Sequence, residues 1–421
     1  MSGQPSYDPY DRAGREDPYP GYSELRDRCP VHHLDVPGVE VDRINANPIV
    51  ARPTTDFYSV ARYADVTALL QDNRTFASGQ GPGPERLVAP DGVGMLIYAD
   101  EPHHTRQRRI VVAAFQPKVI NPMRPDIERI CERRLDAFEA SGAPADLIAG
   151  YAEPVPIETI ALVLGVPAED RDRFKRWSDD TLLALGGDAE AYERSYRSLV
   201  ELQEYFSQAV AVRRKDLAAG TEPPNDVLTH LIHAEYEDRQ FTDEELLMAL
   251  QILLVAAVDT TNHAIGNGVH LLLTHPETRE LLAREPDRWG LAVEEILRYE
   301  APAQALFRTT TTADTVVAGI PIPADAKVRV LFAAANRDPA AFRDPDEFRI
   351  DRDPSEVRRH LSFGRGAHAC LGAALGRTML EIALRTLLRR LPGLRLDPEN
   401  PARRDLDRFH TRTWATLPVR W

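Results

Sequence analysis

The sequence predicts a mainly α-helical protein with a minor β component, and three observations carry that expectation. Apolar residues recur at helical spacing over most of the chain, short β-branched runs suited to strands are few, and past residue 20 no Gly/Ser linker, repeat or low-complexity tract divides it. One large domain over 21–421 is the simplest organisation. Residues 1–20, rich in Tyr, Pro, Gly, Asp and Arg without an apolar period, are expected to form a flexible tail.

Helices are expected over Tyr63–Asp72, His103–Phe115, Pro122–Ala140, Val155–Leu164, Ala168–Leu185, Ala191–Ala219 and Leu246–Leu273, each bounded by Gly, Pro or Asp. The strand candidates are Phe57–Val60, Thr315–Val317, Lys327–Phe332 and Ala415–Val419. Between Ala77 and Ala99 a Gly- and Pro-rich loop is long enough to be functional. A second irregular stretch, Asn336–Pro354, is punctuated by Asp338-Pro339, Asp344-Pro345 and Asp353-Pro354. The last helix is expected over Leu371–Leu391, with Leu375, Met379, Ile382 and Leu387 in phase, and stops at Pro392-Gly393.

Composition excludes several classes. The 421 residues carry a formal charge of −14 and a pI near 5.4, which argues against nucleic-acid or anionic-membrane binding. Cys29, Cys131 and Cys370 are too few for a disulfide framework, and no signal-peptide pattern opens the sequence, so a cytoplasmic location is expected. The longest mainly apolar run, Leu246–Val258, is interrupted by Gln251 and too short to span a bilayer, so no membrane insertion is expected. Cys29-Pro30-Val31-His32-His33 lacks the second paired element of a zinc site.

Two segments carry chemistry. The central helix opens on a capping box, Thr242-Asp243-Glu244-Glu245, and places Leu253, Ala256, Ala257 and Thr260 on one face. That face is a smooth floor of small side chains with a hydroxyl at its edge, against which a flat macrocycle can lie. Asp259 points about 100° away from Thr260. An ordinary buried helix with a back-bonding threonine explains the same residues without any function. Near the C-terminus, Phe363-Gly364-Arg365-Gly366-Ala367-His368-Ala369-Cys370-Leu371-Gly372 puts a cysteine at a helix N-terminus, where the dipole and unpaired amides favour a thiolate. A buried structural cysteine is the plainer alternative.

The spacing Phe-x-x-Gly-x-x-x-Cys-x-Gly resembles the haem-ligand loop of the cytochrome P-450 superfamily, and the resemblance extends from about Pro20 to Trp421. It implies the P-450 fold, with haem b between the central helix and the helix after Cys370, and it implies Cys370 as the axial iron ligand. Phe363 and Gly364 of the loop and Ala256 and Ala257 of the helix floor would border the macrocycle. Ala256-Ala257-Val258-Asp259-Thr260-Thr261 resembles the oxygen-activation motif, in which an acid and alcohol pair supplies protons; Ala257 stands where glycine is common. His104, Arg108, Arg308 and His368 match positions that bind the haem propionates. Glu295 and Arg298 resemble a buried Glu-x-x-Arg pair whose third partner is usually an arginine; Glu347 occupies that place here, which leaves Arg337 or Arg352.

The implied reaction is monooxygenation, consuming O2 and electrons from a ferredoxin or flavodoxin with an NAD(P)H-dependent reductase. A peroxygenase or an isomerising haem-thiolate enzyme shares the cysteine, but Asp259 and Thr260 together disfavour both; a non-catalytic haem sensor is the binding-module alternative. By the same resemblance the pocket is expected from Met95, Leu96, Ile97, Leu182, Leu183, Leu253, Gln304, Ala305, Leu306, Phe409 and His410, a mainly apolar set suited to a lipophilic substrate.

Overall fold

The apolar period of the central segment becomes the helix Asp243–Thr274. Thr242 caps it: the Thr242 hydroxyl accepts the Glu245 N–H and the Glu245 carboxylate accepts the Thr242 N–H, satisfying two end donors reciprocally. The structure is a computed structural model that describes residues 7–35, 50–51, 56–84, 86–87, 94–183, 189–312, 314–407 and 410–421. Long and apolar enough to cross a bilayer, the central helix is instead the packing centre, flanked by the helices Pro154–Val163, Ala189–Ala218 and Ala373–Arg390. Two glycines let these neighbours close in. A Cβ on Gly266 would come within 2.8 Å of Ile148 Cδ1, and one on Gly268 within 2.9 Å of Leu384 Cδ1.

Most expected helices form within a residue or two of their sequence limits, including Tyr63–Gln71, His103–Ala114 and Arg124–Ala140. The segment from Ala168 splits into a 3-10 turn, Ala168–Asp170, and the helix Arg171–Leu183. Val227–His233 and Pro276–Arg284 are further helices that the periodicity did not single out.

A five-stranded sheet lies beside the helices, in the order Val31–Asp35, Asp56–Val60, Lys327–Leu331, Ala305–Thr310, Phe76–Ala77. Only Lys327–Leu331 and Asp56–Val60 run parallel within it. The strand expected over Ala415–Val419 is two strands. Trp414–Thr416 pairs with Arg403–Arg404, and Pro418–Arg420 pairs with Arg395–Leu396 and Ala145–Asp146.

The expected tail is corrected by the structure. Residues 1–6 lie outside the described part, but Arg12–Glu16 and Tyr19–Arg28 are helices, and Tyr7 is buried. Aromatic packing is the reason. Tyr7 lies 5.6 Å from the Tyr22 ring, and its hydroxyl accepts a hydrogen bond from the buried Arg329.

Candidate functional site

Cys370 precedes the N-cap Gly372 of the helix Ala373–Arg390, and its N–H donates to Phe363 O at 2.7 Å, closing the loop on itself. Gly364 and Gly366 adopt φ of 64° and 74°, where a side chain strains. At Gly366 the close approach is decisive, since a Cβ would sit 2.2 Å from Leu70 O. Burial raises the Cys370 thiol pKa, opposed by the Gly372 N–H and the charges of Arg108 and Arg377.

Beneath the loop, Arg377 lies 4.4 Å from the Phe363 ring centre and forms a two-pronged pair with Glu294, at 2.5 and 3.0 Å. His360 reaches the same carboxylate at 3.0 Å. Burial alone would raise the Glu294 pKa, but these partners bring it down to about 2. Because burial keeps His360 below its usual value, Arg377 is the charge that faces Glu294 at neutral pH.

Glu295 and Arg298, one turn apart on the helix Trp289–Tyr299, are fully buried and paired at 2.7 Å. Arg298 also donates to the carbonyls of Asn336, Pro345 and Glu347. Asn336 continues the network, accepting the Leu361 N–H and donating to Ser362 Oγ at the start of the cysteine loop. The third partner is Arg352, whose Nε meets Glu295 Oε1 at 3.0 Å. Arg337 serves elsewhere: its guanidinium lies 3.4 Å and 3.8 Å from the ring centres of Tyr19 and Tyr299.

Between the loop and the central helix lies a cavity of about 310 Å³. Leu253, Ala256, Ala257 and Thr260 form one wall; Phe363, Gly364 and Cys370 form the other. The helix is continuous at Ala257. Thr260 Oγ1 donates to Ala256 O at 2.9 Å, the back-bonded state of a helical threonine. Asp259 does not line the cavity; its carboxylate lies 3.9 Å from Nε2 of the buried His263.

Two arginines and two histidines converge at one side. The rings of His104 and His368 stack 3.8 Å apart, Arg108 donates to Ala369 O at 2.5 Å, and the buried Arg308 donates to Phe307 O at 2.8 Å. Burial lowers all four pKa values, His368 to about 3 and Arg308 to about 10. His104 Nδ1 and His368 Nε2 are buried without a hydrogen-bond partner among the described residues. Such groups call for an acceptor that carries negative charge. Haem fits on these observations. Its flat ring would match the small-residue wall, its iron would take the cysteine sulfur, and its two propionates would answer the two arginine charges and the histidine ring nitrogens.

The expected substrate-pocket residues divide. Leu96, Ile97, Leu253 and Leu306 line the cavity, and Leu96 holds a φ of 50° with its N–H on Gln107 Oε1. Met95 and Ala305 do not line it; both are packed into the apolar core. Gln304 is likewise corrected, because Nε2 donates to Ala301 O and Oε1 accepts from Tyr22 OH, which uses up its polarity inside the fold. The His410 ring sits against Phe307 rather than on the cavity wall. Leu182 and Leu183 end the helix Arg171–Leu183, and Phe409 lies outside the described residues. Pro302, Ala303 and Phe332 line the cavity without having been expected to; being apolar, they carried no local signal.

A cysteine, two arginines and two histidines arranged around a flat-walled cavity in a mainly helical fold define a haem-thiolate protein. The comparisons agree. The family model described as cytochrome P450 matches residues 186–289 and 291–406. The mycinamicin IV hydroxylase/epoxidase of Micromonospora griseorubida is 34% identical, with 95% of this chain and 94% of that protein covered. The nocardicin C N-oxygenase of Nocardia uniformis subsp. tsuyamanensis is 35% identical, with 96% of each covered. Among solved structures, that of a Bacillus megaterium protein, CYP109E1, in complex with testosterone superposes with a TM-score of 0.81 at 30% identity, covering 96% of this chain and 99% of that one. The chain belongs to the cytochrome P450 family. It is a haem-thiolate monooxygenase, and its cofactor is haem with a cysteine thiolate as axial ligand.

Proposed function

We propose that Cys370 supplies the axial thiolate, that His104, Arg108, Arg308 and His368 hold the propionates, and that the enzyme oxygenates a lipophilic organic substrate. One observation carries this reading: Cys370, the two arginines, the two histidines and the Thr260 face of the central helix open onto a single cavity. Haem with an axial thiolate supplies dioxygen activation, its sulfur donating the electron density that favours O–O cleavage.

The protein's share is placement and proton supply. Phe363 and Gly364 border the ring on the cysteine side, and Ala256 and Ala257 on the other. The Thr260 hydroxyl faces the cavity and passes a proton through Oγ1; Asp259, one residue earlier and on another helix face, replenishes it. The apolar side chains Leu96, Ile97, Leu253 and Leu306 exclude water and select an apolar partner over a charged one. Relatives named for mycinamicin IV and nocardicin C, and one bound to testosterone, make a bulky natural product a reasonable starting point for the search.

Electrons come from a separate ferredoxin or flavodoxin with its NAD(P)H-dependent reductase, in the cytoplasm. The haem-loaded protein titrated with a panel of bulky apolar compounds should show a saturable spin-state shift of the haem band. Binding of charged hydrophilic compounds alone would overturn the substrate reading. Turnover supported by peroxide, but by no electron donor, would overturn the monooxygenase cycle in favour of a peroxygenase.

A further inference from the structure

Away from the cavity, Arg15 near one end of the chain and the segments 404–406 and 411–413 near the other enclose a cleft of about 30 Å³. Hydrogen bonds already join these ends. Arg412 Nη1 donates to the carbonyls of Arg15 at 3.1 Å and Glu16 at 2.8 Å, while Arg12 pairs with Asp407 at 2.8 Å.

Behind the cleft, the buried carboxylate of Glu300 is shared. Arg412 pairs with it through Nε, Arg404 Nη2 lies 3.6 Å away, and Tyr19 OH donates to it at 3.2 Å. The Arg404 side chain is only 8% exposed. Its guanidinium lies 3.6 Å from the Trp414 ring centre, and its Nη1 donates to Asn267 Oδ1 at 2.9 Å. Even so, Arg404 Nε is buried without a hydrogen-bond partner among the described residues. The same holds for Arg15 Nε and Thr411 Oγ1, and all three residues line the cleft.

Charge points the same way. Arg15, Arg404 and Arg412 line the cleft against one carboxylate, Asp405, whose Oδ1 already accepts the Asp407 N–H at 3.0 Å. Burial lowers the pKa of Arg15, against the opposing pull of Asp407, Asp11 and Asp8, and brings that of Arg404 to about 10 against the pull of Glu300. An ordered water accepts from two donors but returns no charge. The volume, about 30 Å³, is room enough for a water or a monatomic ion.

We propose that this cleft is a halide-sized anion site, suited to chloride, which clips the N-terminal helix Arg12–Glu16 to the C-terminal turn. The haem and oxygen chemistry does not use it. It lies close to the substrate wall nonetheless, because Thr411 bridges to Ala303, and Ala303 lines the cavity.

Bromide is the probe. In crystals of the full-length haem-loaded protein soaked in sodium bromide, an anomalous peak should lie within hydrogen-bond reach of Arg15 Nε and Arg404 Nε. In solution at constant ionic strength, replacing gluconate by bromide or chloride should raise the unfolding midpoint and saturate. Arg15→Ala and Thr411→Val, both conservative of the core, should each weaken that apparent affinity about tenfold with haem content unchanged. Three results would overturn the proposal: an ordered water only, a midpoint that follows ionic strength whichever the anion, or a bromide peak with no effect on the midpoint, which marks an adventitious ion.

Discussion

Cys370 sits outside the helix that follows it, so the loop's own hydrogen bond from Cys370 N to Phe363 O, rather than helix packing, fixes the sulfur. Cys370→Ser should therefore fold and still present the cavity, yet the reduced carbon monoxide complex should lose its red-shifted absorption band. Retention of that band would exclude Cys370 as the ligand. Thr260→Ala removes a hydroxyl that bonds only to its own helix in this structure, so stability should hardly change. Product per electron pair should fall by about tenfold or more, with peroxide made instead, as for loss of a general acid; measured coupling of donor oxidation to product checks this. At this scale the sequence was most legible where residue type is chemically obligatory. The cysteine and its glycines stood out by spacing, and His104, Arg108, Arg308 and His368 through the family resemblance alone. It was least legible where a residue's partner decides its role: Gln304 looks like a substrate ligand until Tyr22 and Ala301 are seen to occupy both ends of its amide.

Among the elements, the helix Trp289–Tyr299 is coupled to the cysteine loop by hydrogen bonds running from Arg298 through Asn336 to Leu361 and Ser362. Arg298→Ala leaves buried Glu295 with Arg352 and the Arg349 N–H, both on Oε1, and should cost about 3–5 kcal/mol, with poor haem loading, as read by denaturant unfolding and haem content. Arg352→Ala should be milder in the same assay, because Arg298 stays paired with both Glu295 oxygens. A wild-type unfolding midpoint for Arg298→Ala would show that the pair contributes nothing to the fold. The choice between Arg337 and Arg352 was not decidable from sequence, since both follow the pair in one irregular stretch, and only the path of that stretch distinguishes them. The long helices were legible because the 3.6-residue period is sustained over several turns. Val31–Asp35 and Ala305–Thr310 were missed as strands because polar residues interrupt both: His32 is buried against the N-terminal aromatics, and Arg308 is buried at the cavity.

Over the whole molecule, acid sensitivity should begin with partly buried histidines. Burial holds His270 near a pKa of about 4 and His410 near about 3. The unfolded chain takes up protons at these positions first, so stability should fall as pH drops below about 6.5. Glu294, depressed to about 2, contributes stability that is present above its ordinary carboxylate range and lost as pH falls from there toward 2. Unfolding midpoints measured from pH 7 to 3 should trace both steps, and a flat profile above pH 5 would contradict the histidine assignment. The proposed ferredoxin or flavodoxin donor makes surface charge testable. Arg106 and Arg377 are engaged by Glu245 and Glu294, while Arg109, Lys118 and Arg358 are exposed. Arg109→Glu with Arg358→Glu should slow reduction by an acidic ferredoxin chiefly at low salt, with substrate binding unchanged; a rate indifferent to salt and charge would remove the steering role.

The cavity walls come from segments as far apart as Leu70 and Leu380, and the sulfur that would hold iron is contributed only at residue 370. A growing polypeptide therefore cannot retain the pigment until synthesis has passed that cysteine and the helix after it. Cofactor capture follows the making of the whole cavity, and when translation outruns haem supply the product should be pale protein whose Arg108 and Arg308 lack their counter-charges. The redness of a preparation, relative to its total protein, then reports how well haem delivery kept pace with synthesis.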